Sequence, residues 1–217
     1  MLPRVWHVAV LLALSLALAA QGCGGGNDKR PKLPRLSPAE AGAAAMAAFD
    51  TNKDGNLDAK ELEKCPALRE RKPDGTFGGP IPTVDKDGDG KITAEEIATR
   101  LREYESRKVA LVGVSCQVAN ENLPLTGATV TFTPEAFMGT SVKPAQGVSE
   151  EGGEVNLQIE GEGYPGLHCG FYRVTVSKKD AQGKETIPAR FNTNTTLGFE
   201  VGPDMREGNF LIRITRR

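Results

Sequence analysis

Two twelve-residue stretches decide the fold of the first half of the chain. They read Asp50-Thr-Asn-Lys-Asp-Gly-Asn-Leu-Asp-Ala-Lys-Glu61 and Asp85-Lys-Asp-Gly-Asp-Gly-Lys-Ile-Thr-Ala-Glu-Glu96. Each carries an oxygen-bearing side chain at its first, third, fifth, ninth and twelfth positions and a glycine at its sixth. Glycine permits a sharp turn through positive φ, which a side chain would disfavour. The spacing therefore predicts that each stretch folds into a tight loop in which the side-chain oxygen atoms converge.

This spacing matches the EF-hand calcium loop at every diagnostic position. Calcium is a hard cation that takes six to eight oxygen ligands, and the twelfth-position glutamate closes the shell with both carboxylate oxygens. The seventh position offers only its backbone carbonyl, so a lysine is tolerated there, and the ninth often acts through a water. We therefore predict two calcium ions as cofactors. The candidate ligands are Asp50, Asn52, Asp54, Asn56, Asp58 and Glu61 in the first loop and Asp85, Asp87, Asp89, Lys91, Thr93 and Glu96 in the second.

The alternative is that both stretches are solvated Asp/Gly turns that bind no ion. The presence of two loops, each with its closing glutamate and an apolar eighth residue, disfavours that interpretation. The eighth residues are Leu57 and Ile92. They are expected to form the short β contact that joins paired hands.

The flanking segments predict an EF-hand pair over residues 37–108 and support the first hand better than the second. Ser37 and Pro38 favour a capped helix start, with Glu40 reaching back to the cap. Met46 and Phe49 stand near the end of this alanine-rich segment, on one face of the predicted helix. We therefore expect a full incoming helix before the first loop.

The second hand is predicted to be irregular. After its loop, Ile97, Leu101 and Tyr104 recur at helical intervals and indicate an outgoing helix. Before its loop, the segment from Pro73 to Pro82 is rich in glycine and proline. We therefore expect a loop or a single turn in place of the incoming helix.

Residues 1–22 resemble a lipoprotein signal peptide. Met1–Arg4 gives a positive start, and Val8–Ala20 is an apolar run broken only by a serine. Ala20-Gln-Gly-Cys23 then resembles a bacterial lipobox, which implies cleavage before Cys23 and attachment of lipid to its sulfur. An ordinary signal-peptide cut after Ala19 is the alternative.

Lipidation of Cys23 would decide where the protein resides. Residues 23–36 would form a flexible tether, because glycines follow the cysteine directly. The protein would be exported and lipid-anchored to the bacterial cell envelope, on its periplasmic or cell-surface face.

From Val109 the sequence pattern changes from a helical period to alternation of apolar and polar residues. Glycine and proline turn signals separate the alternating segments. This pattern predicts about seven strands over residues 109–217, arranged as a Greek-key β-sandwich. The fold class is therefore α+β, with two modules. The alternating segments are residues 112–118, 128–132, 155–159, 172–176 and 210–214.

The second half resembles the carboxypeptidase-regulatory-like, or transthyretin-like, family of sandwiches. The resemblance lies in Leu123–Phe132, in Gly147–Ser149 with a following glycine, and in Gly170–Val174. Ile187–Asn192 is similar to a variant found in bacterial secreted lipoproteins, some of which place an EF-hand segment before the sandwich. The resemblance implies a non-catalytic binding or structural module.

The residues required for catalysis are not evident in the sequence. His168 is the one histidine beyond the predicted signal peptide, and no G-x-S-x-G motif occurs. We therefore expect no enzymatic activity. The chain has 27 Lys and Arg residues against 28 Asp and Glu residues, so nucleic acid is not expected as a partner.

The cysteines suit an exported protein. We expect a disulfide between Cys116 and Cys169, both within the predicted sandwich. The alternative is that Cys116 is a small apolar core residue. Cys65 is expected to stay unpaired at the end of the first hand's outgoing helix.

The sequence is compatible with three functions. The first is a membrane-tethered calcium-binding module, with an envelope protein or a polysaccharide as its further partner. The second is a dockerin-like docking module that recruits a protein partner at the cell envelope, although dockerins usually have Asp where this chain has Glu61 and Glu96. The third, a carbohydrate-binding sandwich, is disfavoured because no tryptophan follows Trp6.

Overall fold

The computed structural model describes residues 31–71, 77–205 and 208–215. The predicted signal peptide and Cys23 lie outside these described residues. Within the described ranges, no helix has the length and apolar character needed to cross a membrane.

The described residues of the first half form three α-helices, α1 (Pro38–Phe49), α2 (Ala59–Leu62) and α3 (Ala94–Arg107). Its strands are short: β1 (Asn56–Leu57), β2 (Arg69–Arg71), β3 (Phe77–Pro80) and β4 (Ile92–Thr93). Alanines dominate α1, and alanine is the best helix former. Ser37 takes the N-cap position of α1 with Pro38 in the first turn, as predicted, but the Ser37 side chain makes no capping hydrogen bond.

The outgoing helix of the first hand is a single turn. After α2, the chain enters a 3-10 turn at Pro66–Leu68, because proline lacks the N–H that would continue an α-helix. Before the second loop, the amides of Val84 and Asp85 donate to the carbonyl of Ile81 at 2.9 and 3.0 Å. The second loop therefore follows a turn rather than a helix, as the sequence predicts.

The second half consists of two β-sheets built from the strands β5 (Val114–Asn120), β6 (Leu123–Pro124), β7 (Thr129–Pro134), β8 (Ala145–Val148), β9 (Glu154–Val155), β10 (Gln158–Ile159), β11 (Gly170–Ser177), β12 (Gly198–Val201) and β13 (Gly208–Ile214). Five strands form one sheet in the order β10-β8-β7-β11-β12. In the other sheet, β5 pairs with β13 in parallel and with β6 and β9 in antiparallel fashion.

Nine strands lie in this half of the described chain, two more than the sequence pattern predicts. One cause is the alternating segment at residues 155–159, which is not a single strand. Its start, β9, pairs with β5, whereas its end, β10, pairs with β8 in the other sheet. Alternation of apolar and polar residues indicates which face of a strand each residue lies on, but it does not indicate which sheet the strand pairs into.

Aromatic rings fill the space between the two sheets. Phe132 on β7 lies 5.8 Å from the ring of Phe199 on β12 and 5.9 Å from that of Phe210 on β13. Because Phe210 belongs to the other sheet, this cluster joins the two sheets face to face. Such ring pairs contribute beyond the area that they bury.

The helical half packs directly on the five-stranded sheet. The rings of Tyr104 on α3 and Phe171 on β11 are 6.1 Å apart. A Cβ atom at Gly198 on β12 would lie 2.2 Å from the backbone carbon of Pro66, so the backbone of β12 packs directly against the backbone of the 3-10 turn. One continuous core runs from α1 to β13, and the two predicted modules therefore share their interior.

The structure does not contain the predicted disulfide between Cys116 and Cys169, since both residues are present as buried thiols. Cys116 stands on β5 between Phe210 and Val155. Cys169 instead lies before β11, within the electrostatic influence of Arg100 and Glu200. The two thiols therefore have different surroundings. Cys65 is also a buried thiol, just before the 3-10 turn that follows α2.

Candidate metal centre

The two candidate calcium loops are joined by the antiparallel pairing of β1 with β4. Leu57 lies opposite Ile92, and Asn56 lies opposite Thr93. The side chains of Leu57 and Ile92 are fully buried. The short β contact predicted from the eighth loop positions is therefore confirmed.

In the first loop, side-chain oxygens turn inward and accept hydrogen bonds from the backbone of the loop. Asp50 Oδ1 accepts from Asp54 N at 3.2 Å, and Asp50 Oδ2 accepts from Gly55 N at 3.0 Å. Asn52 Oδ1 accepts from Asp54 N at 2.8 Å, and Asp54 Oδ1 accepts from Asn56 N at 2.9 Å. Gly55 has a φ of 85°, which supplies the sharp turn.

The second loop repeats this arrangement. Asp85 Oδ2 accepts from Gly90 N at 3.1 Å, as Asp50 does from Gly55. Asp87 Oδ1 accepts from Asp89 N at 3.1 Å, and Asp89 Oδ1 accepts from Lys91 N at 2.8 Å. Gly90 also has a φ of 85°. The two loops therefore share the turn at the sixth-position glycine and the inward hydrogen bonds of their first, third and fifth side chains.

The closing glutamates reach back to the start of each loop. Glu61 Oε1 accepts from the backbone N–H of Thr51 at 2.7 Å and from that of Asn52 at 3.2 Å. Glu96 Oε1 accepts from Lys86 N at 3.1 Å. Each twelfth-position carboxylate therefore bridges the two ends of its loop, where a closing ligand must stand.

The ninth-position side chains cap the outgoing helices. Asp58 Oδ1 accepts from Glu61 N at 2.9 Å, and Glu61 Oε2 accepts from Asp58 N at 3.1 Å. Thr93 and Glu96 form the same reciprocal capping box at the start of α3. These boxes fit the pattern of a capping residue followed three positions later by glutamate. The sequence carries this signal at Asp58 and Thr93, for which only ligand roles were predicted.

Three carboxylates of the second loop form a compact cluster. One ligand oxygen from each of Asp85, Asp87 and Asp89 lies within 4.8 Å of the other two. Their negative charges repel, so a cation among them would relieve the repulsion. Hard carboxylate oxygens at this spacing fit calcium. Lys91 takes the seventh position, which serves through its backbone carbonyl, and Glu96 lies outside the cluster.

The first loop differs because its third position is an amide. Asn52 Nδ2 donates to Asp54 Oδ2 at 3.3 Å, which links two of the predicted ligands. Asn56 Nδ2 donates to the backbone carbonyl of Asp54 at 3.3 Å. The first loop therefore offers calcium a neutral oxygen where the second offers a charged one.

Hydrogen bonding keeps the closing glutamate of the first loop ionised. The backbone N–H of Asp58 lowers the pKa of Glu61 most, and burial opposes this effect. The backbone N–H groups of Asn52 and Thr51 and the Thr51 hydroxyl lower the pKa further, to about 2. Hydrogen bonds to a carboxylate favour its charged form. Glu61 is therefore a carboxylate at neutral pH, as calcium coordination requires.

Comparison with protein families identifies the same two segments. The model of the EF-hand family matches residues 43–66 and 83–101. The first half of the chain therefore carries an EF-hand region, which indicates calcium binding, and a mostly β-sheet part follows it. Searches of curated proteins and of solved structures gave no significant match.

Proposed function

We propose that the protein binds two calcium ions as structural cofactors, and that these ions hold the helical half in its position on the β-sheets. The observation that carries this proposal is the similar geometry of two loops, which share the turn at Gly55 and Gly90 and are joined through Leu57 and Ile92. Extracellular calcium modules typically bind at about 0.1–1 mM. Where calcium outside the cytoplasm exceeds that range, both sites would stay filled and the ions would stabilise rather than signal.

We also propose that the protein is an exported lipoprotein tethered through Cys23. The apolar run and the lipobox-like tetrapeptide ending at Cys23 support this proposal. Several acyl chains on one residue anchor a protein stably, because each buried methylene adds about 0.8 kcal/mol. Mass spectrometry of the natural amino terminus tests it. A diacylglyceryl-modified Cys23 is expected, whereas an unmodified start at Ala20 would contradict the tether.

The β half is proposed to be a non-catalytic binding or structural module of the carboxypeptidase-regulatory-like type, with an envelope protein or a polysaccharide as its partner. The motifs at residues 123–132 and 170–174 and the two packed sheets support this part of the proposal. The dockerin-like alternative is weaker, because Tyr104 of α3 is buried against the sheet of the same chain. A pull-down from the cell envelope with and without calcium separates the two. Calcium-dependent capture through the loops would favour docking.

The structural role of calcium is tested by thermal unfolding. A ligand that binds the folded state alone raises its stability by mass action. We expect calcium to raise the midpoint of one cooperative transition that includes the β half, because both halves share a core. Magnesium at the same concentration is the control, since it demands a tighter octahedral shell. A midpoint that did not respond to calcium would contradict the proposal.

A further inference from the structure

The second calcium loop lacks the support that the first receives from α1. A twelve-residue helix leads into the first loop, whereas a turn closed by hydrogen bonds to Ile81 O leads into the second. Ligands converge on an ion only if both ends of their loop are held in place. The start of the second loop therefore depends more on contacts with other parts of the chain.

Glu200 on β12 contacts both sides of that loop. Its Oε2 accepts a hydrogen bond from the Thr83 hydroxyl at 2.5 Å, two residues before Asp85. Its Oε1 accepts from Arg100 Nε and from the Tyr104 hydroxyl, each at 2.5 Å. Arg100 and Tyr104 belong to α3, the helix that leaves the loop. One carboxylate thus joins the incoming and outgoing segments.

The surroundings of Glu200 leave it little freedom. The side chains of Arg100 and Glu200 are only 4% and 6% exposed. Arg100 also pairs with Asp204 at 2.7 Å and with Glu103 at 2.6 Å. A Cβ at Gly202 would lie 2.5 Å from Arg100 Nη2. A buried charge that loses its partner is strongly unfavourable, so the cluster holds one arrangement.

We propose that Glu200 is the positioning residue of the second calcium site and replaces the missing incoming helix. The inference rests on the proposed calcium function. Because Glu200 holds the segments that the ion must bring together, less freedom is lost when calcium binds. Calcium bound at the second site therefore stabilises the contact that Thr83 and α3 make with β12. Reciprocal linkage requires that this contact in turn strengthens calcium binding.

Isothermal titration of the full chain with calcium tests this inference, in a Glu61→Gln background that weakens the first site. Thr83→Val removes one hydrogen bond to Glu200 and keeps the shape of the side chain. We expect it to raise the second-site Kd by about three- to tenfold. Glu200→Gln removes the charge itself and should raise that Kd by more than about tenfold.

Two controls separate positioning from a general loss of stability. Arg102→Gln alters α3 on its exposed side, where Arg102 pairs with Glu95 at 2.8 Å, and it should leave the second-site Kd unchanged. In a Glu96→Gln background, Thr83→Val should leave the first-site Kd unchanged. Should Glu200→Gln fail to fold, Thr83→Val decides the question alone.

The outcomes are distinguishable. An unchanged second-site Kd in Thr83→Val, with calcium still bound, would overturn the positioning role and leave the calcium function intact. A rise in Kd shared equally by both sites would overturn it too, because the effect would then be general. Absence of calcium binding in the unmodified chain would overturn the calcium function and this inference together.

Discussion

Leu57 and Ile92 face each other across the antiparallel pair of β1 and β4, and both side chains are fully buried. Each is the eighth residue of its EF-hand loop. The same two residues therefore belong to the loops and to the core beneath them. A change at either one is transmitted to both loops, because the strand pairing is shared.

Leu57→Ala should weaken both calcium sites, although Leu57 belongs only to the first loop. Removing a buried leucine leaves a cavity and costs about 2–5 kcal/mol of folding stability. The cavity would lie under the strand pair that aligns both loops. Calorimetric titration should show a higher Kd at each site. Leu123→Ala is the control, because Leu123 is 74% exposed, and an effect confined to the first site would contradict the shared role.

Gly42→Ala should destabilise the protein, although alanine favours a helix by about 1 kcal/mol over glycine. Gly42 lies in α1, and a Cβ there would stand 2.3 Å from the backbone carbonyl oxygen of Ala94 in α3. Backbone cannot move aside as a side chain can, so we expect a net loss of about 1–3 kcal/mol. Urea unfolding measures this loss.

The control for Gly42 is Gly113→Ala. Gly113 is exposed, and a Cβ there would meet no atom within 4 Å. The urea midpoint of the Gly113→Ala variant should stay the same or rise slightly, because alanine reduces the conformational freedom of the unfolded chain. Equal effects of the two substitutions would show that the close approach of α1 to α3 does not limit stability.

His168 should make the protein less stable in mild acid. Its side chain is buried, and Nε2 has no hydrogen-bond partner within the described part of the chain. Burial lowers the pKa of His168 below its usual 6.5; Glu162 opposes this effect and Lys143 adds to it. As the pH falls below about 6.5, the unfolded chain takes up a proton that the folded chain binds only at lower pH. The free energy of unfolding therefore declines as the pH falls from about 6.5 to the folded pKa, and above about pH 6.5 it does not respond to this group.

The test is an NMR titration of the His168 ring, combined with urea unfolding at pH 7.5 and 5.5. His7, the other histidine, falls in the predicted signal peptide, so a chain starting at residue 24 gives one ring signal. His168→Gln should remove part of the stability loss at the lower pH. A ring pKa at or above 6.5 would refute the prediction.

The cysteine thiols should be unreactive in the folded protein. Burial raises the pKa of Cys169 to about 12 and raises that of Cys65 well above its usual value. The thiolate is the nucleophile, so alkylation should be slow at pH 8. In a chain starting at residue 24, unfolding by denaturant should expose three thiols. One thiol instead of three would show that two of these cysteines are joined as a disulfide, and peptide mapping would then test the Cys116–Cys169 pair.

The calcium loops could be predicted from the sequence because an EF-hand is a local structure. The glycine that turns the chain and the oxygens that converge all lie within twelve residues. The pairing of Leu57 with Ile92 followed from the same rule. The strand assignment was less complete, because the two-residue strands β6, β9 and β10 are too short to show an alternating pattern.

The contacts between the two halves could not be predicted from sequence patterns. Thr83 and Glu200 are 117 residues apart in the chain, and no local signal pairs a threonine in a turn with a glutamate on a strand. The same limit explains the Cys116–Cys169 prediction. Presence in the same predicted sandwich did not determine whether the two thiols would share one neighbourhood.

The central claim, that both loops bind calcium, is tested most directly by calorimetric titration of the calcium-free protein. We expect two sites in the unmodified chain and one in each of Glu61→Gln and Glu96→Gln, because each substitution removes charge from a closing ligand. Glu95→Gln, next to Glu96 but 75% exposed in its side chain, is the matched control and should retain two sites. No binding heat in the unmodified chain, or heat unchanged by both loop substitutions, would contradict the account and leave the loops as solvated turns.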